Sequence, residues 1–269
     1  MNKLKRILPI LLGGMIIASM PLAFSACKKK SDIPELNVYY DNVSYRRQFD
    51  SDIGYYYAAG WIEEYSKSDE PNTAQFIMSE INGLPVLELG YSVFMNTIGI
   101  QHGSSTLEKL YLPSTIIYMN AQYFSRNDGS LGDDINWFYC GELMDLSAFN
   151  IYGREKVYVP NEKYSEFVEL LPEDAREEIL FYKANVSYRL NVQELPQYYQ
   201  TEYYYVDYVE YGEIIENIPP EPIMSGYKFG GWYTETDCTH QWDFANAIPQ
   251  LAESEDFNEL CLYAKWIKK

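Results

Sequence analysis

The chain has 269 residues, with 39 acids against 21 bases and a net charge of −18. So acidic a surface repels phosphate backbones and anionic head groups, which argues against nucleic acid as a partner. Aromatic residues make up 16% of the chain and tyrosine alone contributes 27, a composition unlike that of a disordered tail.

The first six residues hold Lys3, Lys5 and Arg6 and no acid. Ile7 to Phe24 is apolar apart from Ser19, and is interrupted by Pro9, Gly13, Gly14 and Pro21. A charged start followed by an apolar run is the layout of an export signal. A permanent anchor is the rival, because about 18 apolar residues approach the minimum for spanning a bilayer. The residues Phe24-Ser25-Ala26-Cys27 decide between them. Small residues before a cysteine resemble the lipobox of bacterial lipoproteins, with Phe24 where that family usually has Leu. The resemblance implies that residues 1–26 are a lipoprotein signal peptide, that Cys27 is lipidated, and that the chain is held at the outer face of a bacterial membrane, on the cell surface. An uncleaved anchor and plain secretion are the alternatives. Loss of the signal leaves 18 bases against 39 acids, a net charge near −21. Residues 27–40 are then a lipidated tether, whose Lys28-Lys29-Lys30 either sit against anionic head groups or are simply solvated.

From 41 to 183 the texture is repetitive. Ile81 to Phe94 (INGLPVLELGYSVF) and Leu107 to Phe124 share an apolar-x-x-apolar pattern, then a small or polar residue, then Phe. Phe94 and Phe124 are 30 apart, within the range of stacked repeats. Leu107, Leu110 and Leu112 alternate as a short strand with one buried face, stopped by Pro113. Units this short cannot bury their own apolar face, so neighbours must stack into a solenoid. These runs, with the later Lys156 to Phe167 (KVYVPNEKYSEF), resemble the BspA-like leucine-rich repeats of bacterial surface proteins. Residues 125–140 lengthen one unit, and Asn120 stands where Gly is usual. Tyr164, Phe167, Val168 and Leu171 fall at i, i+3, i+4 and i+7, the period of an amphipathic helix. Pro172 breaks it, and Ala175, Ile179 and Tyr182 read as a further turn or two. Such a helix is expected to cap the open end of the solenoid.

From 184 to 269 the texture changes. Tyr203, Tyr205, Asp207 and Val209 alternate with Tyr204, Val206, Tyr208 and Glu210, a strand apolar on both faces that ends at Tyr211-Gly212. A stiff Pro219-Pro220-Glu221-Pro222 connector leads to Gly226-Tyr227-Lys228-Phe229-Gly230-Gly231-Trp232-Tyr233, then Cys238, Trp242-Asp243-Phe244 and Leu262-Tyr263-Ala264-Lys265-Trp266. This series resembles the Listeria–Bacteroides repeat, the B-repeat of internalin-type surface proteins, which implies a small β-grasp-like domain. Gly226, Gly230 and Gly231 are expected in tight turns. Trp232, Phe229, Trp242, Phe244, Tyr263 and Trp266 are expected to supply the core of a unit able to fold alone. Cys140, Cys238 and Cys261 remain after lipidation, too few for a disulfide framework and without zinc-ligand spacing. Cys238 and Cys261 form either one bridge or two small buried thiols.

Chemistry is sparse. The histidines are His102, in a loop-like stretch, and His240, in the turn before Trp242. Neither sits in a hydrolase, phosphate-loop or dinucleotide motif. Asn127 to Asp134 lacks the order of a calcium loop. No catalytic residue, metal or cofactor is assigned, although counting does not exclude a pair of glycosidase carboxylates. The tyrosine clusters Tyr55-Tyr56-Tyr57, Tyr198-Tyr199 and Tyr203-Tyr204-Tyr205 are either sheet packing or a recognition surface. The expected fold is mainly β: a short leucine-rich-repeat solenoid with a helical cap, followed by a small β-grasp-like B-repeat domain. The resemblances imply a non-catalytic, adhesin-like lipoprotein that binds a protein or a glycan at the cell envelope. An architectural spacer and an envelope hydrolase are the alternatives.

Overall fold

The computed structural model describes residues 33–62, 72–90, 107–119, 135–142, 155–170, 179–252 and 256–269. Cys27, Phe94, His102, Phe124 and the 127–134 loop lie outside them. In chain order the first region holds β1 (Asn37–Tyr40), β2 (Val43–Asp50), β3 (Gly54–Ile62), β4 (Ala74–Phe76), β5 (Glu80–Ile81), β6 (Leu84–Leu89), β7 (Lys109–Leu112), β8 (Tyr118–Met119), β9 (Asn136–Tyr139), β10 (Glu155–Val159), α1 (Tyr164–Leu170) and β11 (Ile179–Lys183). Two hairpins set the entry. Asp41-Asn42 alone join β1 to β2, and Asn82-Gly83 alone join β5 to β6. Their φ angles are 47° and 61°, and 52° and 79°. Positive φ at both central residues marks the type I′ turn, whose twist matches that of its flanking strands.

Two walls rise from this entry. β6 pairs parallel to β3 and β8 parallel to β6, while β4, β7, β9, β10 and β11 form an all-parallel ladder in chain order. From β3 to β9 the chain alternates between the walls, so each passage adds a rung to both. Parallel neighbours cannot be joined by a tight turn, and a coil of this kind lets short consecutive strands pair in parallel. Between the walls lies one apolar cluster that includes Val86, Leu89, Leu110, Leu112, Trp137, Tyr139, Val157 and Val159. The strand expected around Leu110 is β7. Its second face is buried as well, because Tyr111 is as deeply enclosed as Leu110 and Leu112.

The helix forms where the 3.6 period places it, with Phe167 buried and Tyr164 and Val168 leaning on the same cluster. It does not continue through Ile179 and Tyr182, which belong to strand β11. Phe181 packs on Phe167 at 5.2 Å, whereas Tyr182 stacks on Tyr158 at 5.4 Å. Neighbouring residues therefore face opposite ways, a period of two rather than 3.6. The helix is the crossover between parallel β10 and β11, and β11, not the helix, ends the ladder.

β12 (Val186–Arg189), β13 (Tyr203–Asp207), β14 (Tyr227–Tyr233) and β15 (Leu260–Lys268) form a third sheet in the order β13-β12-β15-β14. β12 and β15 run parallel at its centre and the outer pairs are antiparallel. Gly226, at φ 80°, turns the chain into β14. Gly230-Gly231 make no turn: they lie inside β14, where the register shifts between Phe229 and Trp232, a β-bulge. Trp232 is buried, while Phe229, Trp242, Phe244 and Trp266 pack half-buried around its cluster. Tyr263 is half-exposed.

Residues Glu35–Lys269 form one compact unit, and a second apolar cluster shows why. It joins Phe76, Tyr111, Phe138 and Cys140 of the ladder to Val186, Tyr188, Tyr204, Tyr205, Trp232 and Leu262 of the third sheet. Hydrogen bonds cross the same boundary. Tyr205 OH donates to the Ile77 carbonyl at 2.7 Å, Ser114 Oγ to the Tyr203 carbonyl at 2.7 Å, and Thr201 Oγ1 to the Cys140 carbonyl at 2.8 Å. The protein is thus mainly β, and among the described residues no helix is long and apolar enough to cross a membrane.

Candidate functional site

Parallel register aligns Phe76, Tyr111, Phe138, Tyr158 and Tyr182, one per rung. Neighbouring ring centroids are 4.1, 4.6, 4.9 and 5.4 Å apart, at interplanar angles of 12°, 17°, 12° and 30°, the spacing of stacked rings. The third sheet covers one end of this column and leaves the other. Phe76, Tyr111 and Phe138 are buried, Tyr158 is half-buried, and Tyr182 is 37% exposed. Lys109 and Asn136 stand two residues before Tyr111 and Phe138 on their strands, so they share the column's face.

Where β13 ends, the chain lifts off the ladder and leaves a cleft of about 380 Å³ between them, near the small end of ligand pockets, which run from ~300 to 1,000 Å³. Phe138, Tyr158 and Tyr208 form its walls, Lys109, Asn136, Asn217 and Asp207 supply polar groups, and Glu210, Glu213 and Glu216 stand on the exposed rim. Asn185 fixes the segment that carries Asp207. Its Nδ2 donates to the Val209 carbonyl at 2.7 Å, its Oδ1 accepts the Val209 N–H at 3.0 Å, and its own N–H donates to the Asp207 carbonyl at 3.1 Å.

Asp207 is 1% exposed and, among the described residues, the one buried acid or base. Its Oδ1 accepts the Tyr111 hydroxyl at 2.9 Å and the Tyr208 N–H at 2.8 Å. The Lys109 ammonium stands 3.7 Å from the same oxygen, an ion pair longer than a hydrogen bond, and lies 5.7 Å from the Phe138 ring centre. Oδ2 has no hydrogen-bond partner, and neither has the buried Tyr188 hydroxyl. Burial pushes the Asp207 carboxyl up to about 6, against the pull of Lys109, Tyr111 and the Tyr208 N–H. Burial and then the Asp207 charge hold Tyr111 well above the ordinary phenol range. Burial, then Tyr208 and Tyr182, push Tyr158 up to about 12. No histidine, serine or cysteine lines the cleft among the described residues. Among the described residues no group of three or more His, Cys, Asp and Glu is placed to hold a metal ion.

The residues singled out by the sequence lie elsewhere. Cys238 and Cys261 are free thiols. Cys238 Sγ is 3.8 Å from the Ala264 carbonyl, three residues along β15 from Cys261, which pairs with Ser187. Three strand residues span ~10 Å, more than the ~5.5–6 Å between Cα atoms that suits a bridge, and the bridge left open by the sequence is not made. Cys140 is buried, which drives its thiol far above the ordinary range. The His240 ring is 79% exposed, with Nδ1 3.1 Å from Glu235. Tyr203, Tyr204 and Tyr205 are all buried, Tyr56 and Tyr57 are buried beside exposed Tyr55, and Tyr198 and Tyr199 are half-buried. The tyrosine clusters are therefore mostly packing. Asp207 was visible only as one of two acids, with Glu210, in a strand otherwise apolar on both faces, and nothing local marked Lys109 or Tyr111 as its partners.

Residues 185–265 match the Listeria-Bacteroides repeat domain, a family typical of surface proteins. The match spans most of the third sheet and includes Asn185 and Asp207, while Lys109, Asn136, Phe138 and Tyr158 lie outside it. Neither the curated proteins nor the solved structures compared with the chain contain a match. The repeat points to an extracellular or surface repeat protein.

Proposed function

We propose that the protein is an exported lipoprotein, held through Cys27 at the outer face of a bacterial membrane, that binds a protein or a glycan at the cell envelope without turning it over. In this reading the coil is a short leucine-rich-repeat solenoid and the third sheet a β-grasp-like repeat domain. The Leu and Val interior behind a five-strand parallel ladder supports the first assignment, and the family match supports the repeat character of the second. The observation that carries the binding role is the cleft. It joins ladder and repeat, is lined by the buried carboxylate of Asp207, and among the described residues is lined by no histidine, serine or cysteine.

Anchoring and binding are tested separately. One acyl chain binds membranes only marginally, whereas two or more anchor stably, so Cys27→Ala should shift the chain from the membrane to the soluble fraction. A variant that stays with the membrane and keeps residues 1–26 would point instead to a spanning anchor. For binding, the full-length chain is screened against glycans, peptidoglycan fragments and extracellular matrix proteins, with capture expected and no product released. A hydrolase is the second reading, because a carboxyl raised to about 6 is in the state a general acid needs. Product formation that disappears in Asp207→Asn would establish it. Absence of any capture would favour an architectural spacer.

A further inference from the structure

The first sheet carries an apolar face past the end of its core. Side chains two apart on a strand share a face. Val38, Tyr45 and Tyr57 turn theirs into the cluster between the walls, and the same face runs on toward the β2–β3 turn as Arg47, Phe49 and Tyr55, with Phe49 paired to Tyr55. Leu36 joins them, because the Arg47 N–H donates to its carbonyl at 2.8 Å, one step beyond the Asn37–Arg46 pair. Here the cover stops: Leu36 is 51%, Phe49 65% and Tyr55 37% exposed. The group is contiguous. The Phe49 and Tyr55 rings meet edge-on at 5.1 Å, and the Arg47 guanidinium lies over the Tyr55 ring at 5.0 Å. Apolar residues exposed singly are ordinary, whereas a connected set on one face marks a surface with a partner.

Chain length and charge select that partner. Nine residues run from Cys27 to Leu36, and a chain extends at most ~3.3–3.6 Å per residue, so Leu36 lies within about 30 Å of a lipid on Cys27. Inside that reach a face too weak to hold a protein alone still engages, because the tether raises its effective concentration. The residue types suit the boundary between acyl chains and head groups, where tyrosine sits at head-group level and arginine lays its stem on apolar surface with its charge in water. A net charge of −18 repels the rest of the surface from anionic head groups, which leaves a small apolar contact rather than a broad charged one. Of the acids nearby, Asp50 is occupied in holding the turn, where its Oδ1 accepts the N–H groups of Asp52 and Ile53 at 2.8 and 3.1 Å. We propose that Leu36, Phe49 and Tyr55 form a membrane-contact patch, which rests in the interface of the bilayer that carries the Cys27 lipid and fixes how the chain stands on it. The proposal rests on the lipid-anchored reading above and adds an orientation to it.

The test uses the full-length chain reconstituted into phosphatidylcholine vesicles with brominated acyl chains, which quench any tryptophan they touch. Phe49→Trp keeps an aromatic ring in the patch, and its added emission is read as the difference from wild type. Ile223→Trp, at a position 54% exposed before β14, is the control. A group seated ~5–10 Å into the interface should lose about half of its added emission to the brominated lipid, and the control should lose none. Leu36→Ser in the Phe49→Trp chain should cut that quenching at least about twofold, since attachment scales with the apolar area buried, and should leave the thermal midpoint unchanged. Vesicles containing phosphatidylglycerol should give the same result. Equal quenching at both positions, or none at Phe49→Trp, overturns the proposal, as does quenching that Leu36→Ser leaves intact or that requires the anionic lipid. Self-association in detergent that Phe49→Ser abolishes would assign the face to a second copy and overturn it as well. Anchoring is read separately, from the membrane fraction of Cys27→Ala. No quenching in a chain that needs Cys27 for attachment removes the patch and keeps the lipid anchor. Quenching in a chain that stays attached as Cys27→Ala removes the lipid anchor and keeps the patch.

Discussion

In the coil an aromatic residue meets its own kind, because parallel in-register rungs place equivalent positions directly above one another: Phe76, Tyr111, Phe138, Tyr158 and Tyr182 form one stack. In the third sheet rings meet without such a register: Tyr188, two strands away, lies edge-on to Trp232 at 5.0 Å, and Phe229, on the same strand, lies edge-on to it at 5.1 Å. The coil faces its stack outward and keeps a mostly aliphatic interior, with Trp137 and Tyr139 among it, while the sheet turns its aromatics toward that stack. Each region thus carries an apolar face that only the other covers. Tyrosines, whose abundance invites a recognition surface, here help to form the joint between the two modules: Tyr111, Tyr188, Tyr203, Tyr204 and Tyr205 are all buried in it.

The largest test of that joint is Tyr111→Ala, at the middle of the stack. Removing a fully buried ring is expected to cost about 3–5 kcal/mol, and both regions should unfold in one transition, followed by Trp137 in the coil and Trp232 in the sheet. Two separate transitions would break the comparison. Residues 184–269 alone sharpen it. The sequence presents them as separable, yet without the ladder the cluster around Tyr204 and Tyr205 loses its cover. Such a fragment is expected to melt below the full chain and to bind a hydrophobic dye. A midpoint equal to the full chain's would mean that the shared cluster contributes nothing to the sheet.

Next is the pH dependence of Asp207, where the two regions meet. Its folded value of about 6 exceeds the ordinary 3.8. A raised carboxyl contributes stability that is present below the unfolded value and lost as pH rises through the folded one. Lys109 and Tyr111 from β7, Tyr158 from β10, Tyr188 from β12, and Tyr208, Glu210, Glu213 and Glu216 from its own segment are ionisable groups around it. Between pH 4 and about 6 the wild type should lose about 3 kcal/mol relative to Asp207→Asn, because a tenfold change in proton affinity is worth about 1.4 kcal/mol. Denaturant unfolding of both proteins across that window measures the difference, and parallel curves would contradict it. Asn185→Ala should cost about 1–3 kcal/mol by orphaning the buried Val209 groups, read as a fall in denaturant midpoint at constant slope. The smallest effect is expected at the β2–β3 hairpin tip, where Phe49 is 65% exposed. Phe49→Ala should change stability by less than about 0.5 kcal/mol, and a larger thermal shift would reveal packing at that tip.

What the chain determined by itself was local. The period around Tyr164 and Phe167 made the helix, the run at Lys109 to Leu112 made a strand, and the glycines and aromatics after residue 226 carried the repeat. Asp41-Asn42 and Asn82-Gly83 also held two hairpins in plain view, a signal available in the turn chemistry alone. The rest waited for tertiary structure, because it depends on register between distant segments. Successive rings of the stack are 35, 27, 20 and 24 residues apart, so loops of unequal length hide the period. Ile179 to Lys183 became a strand only because β10 offered an open parallel edge, a contact no local period encodes. Asp207 meets Tyr111 across 96 residues. Its burial, its raised carboxyl and its free oxygen arise only where the repeat docks on the ladder, since a strand shows its alternation in sequence but not the surface it will face.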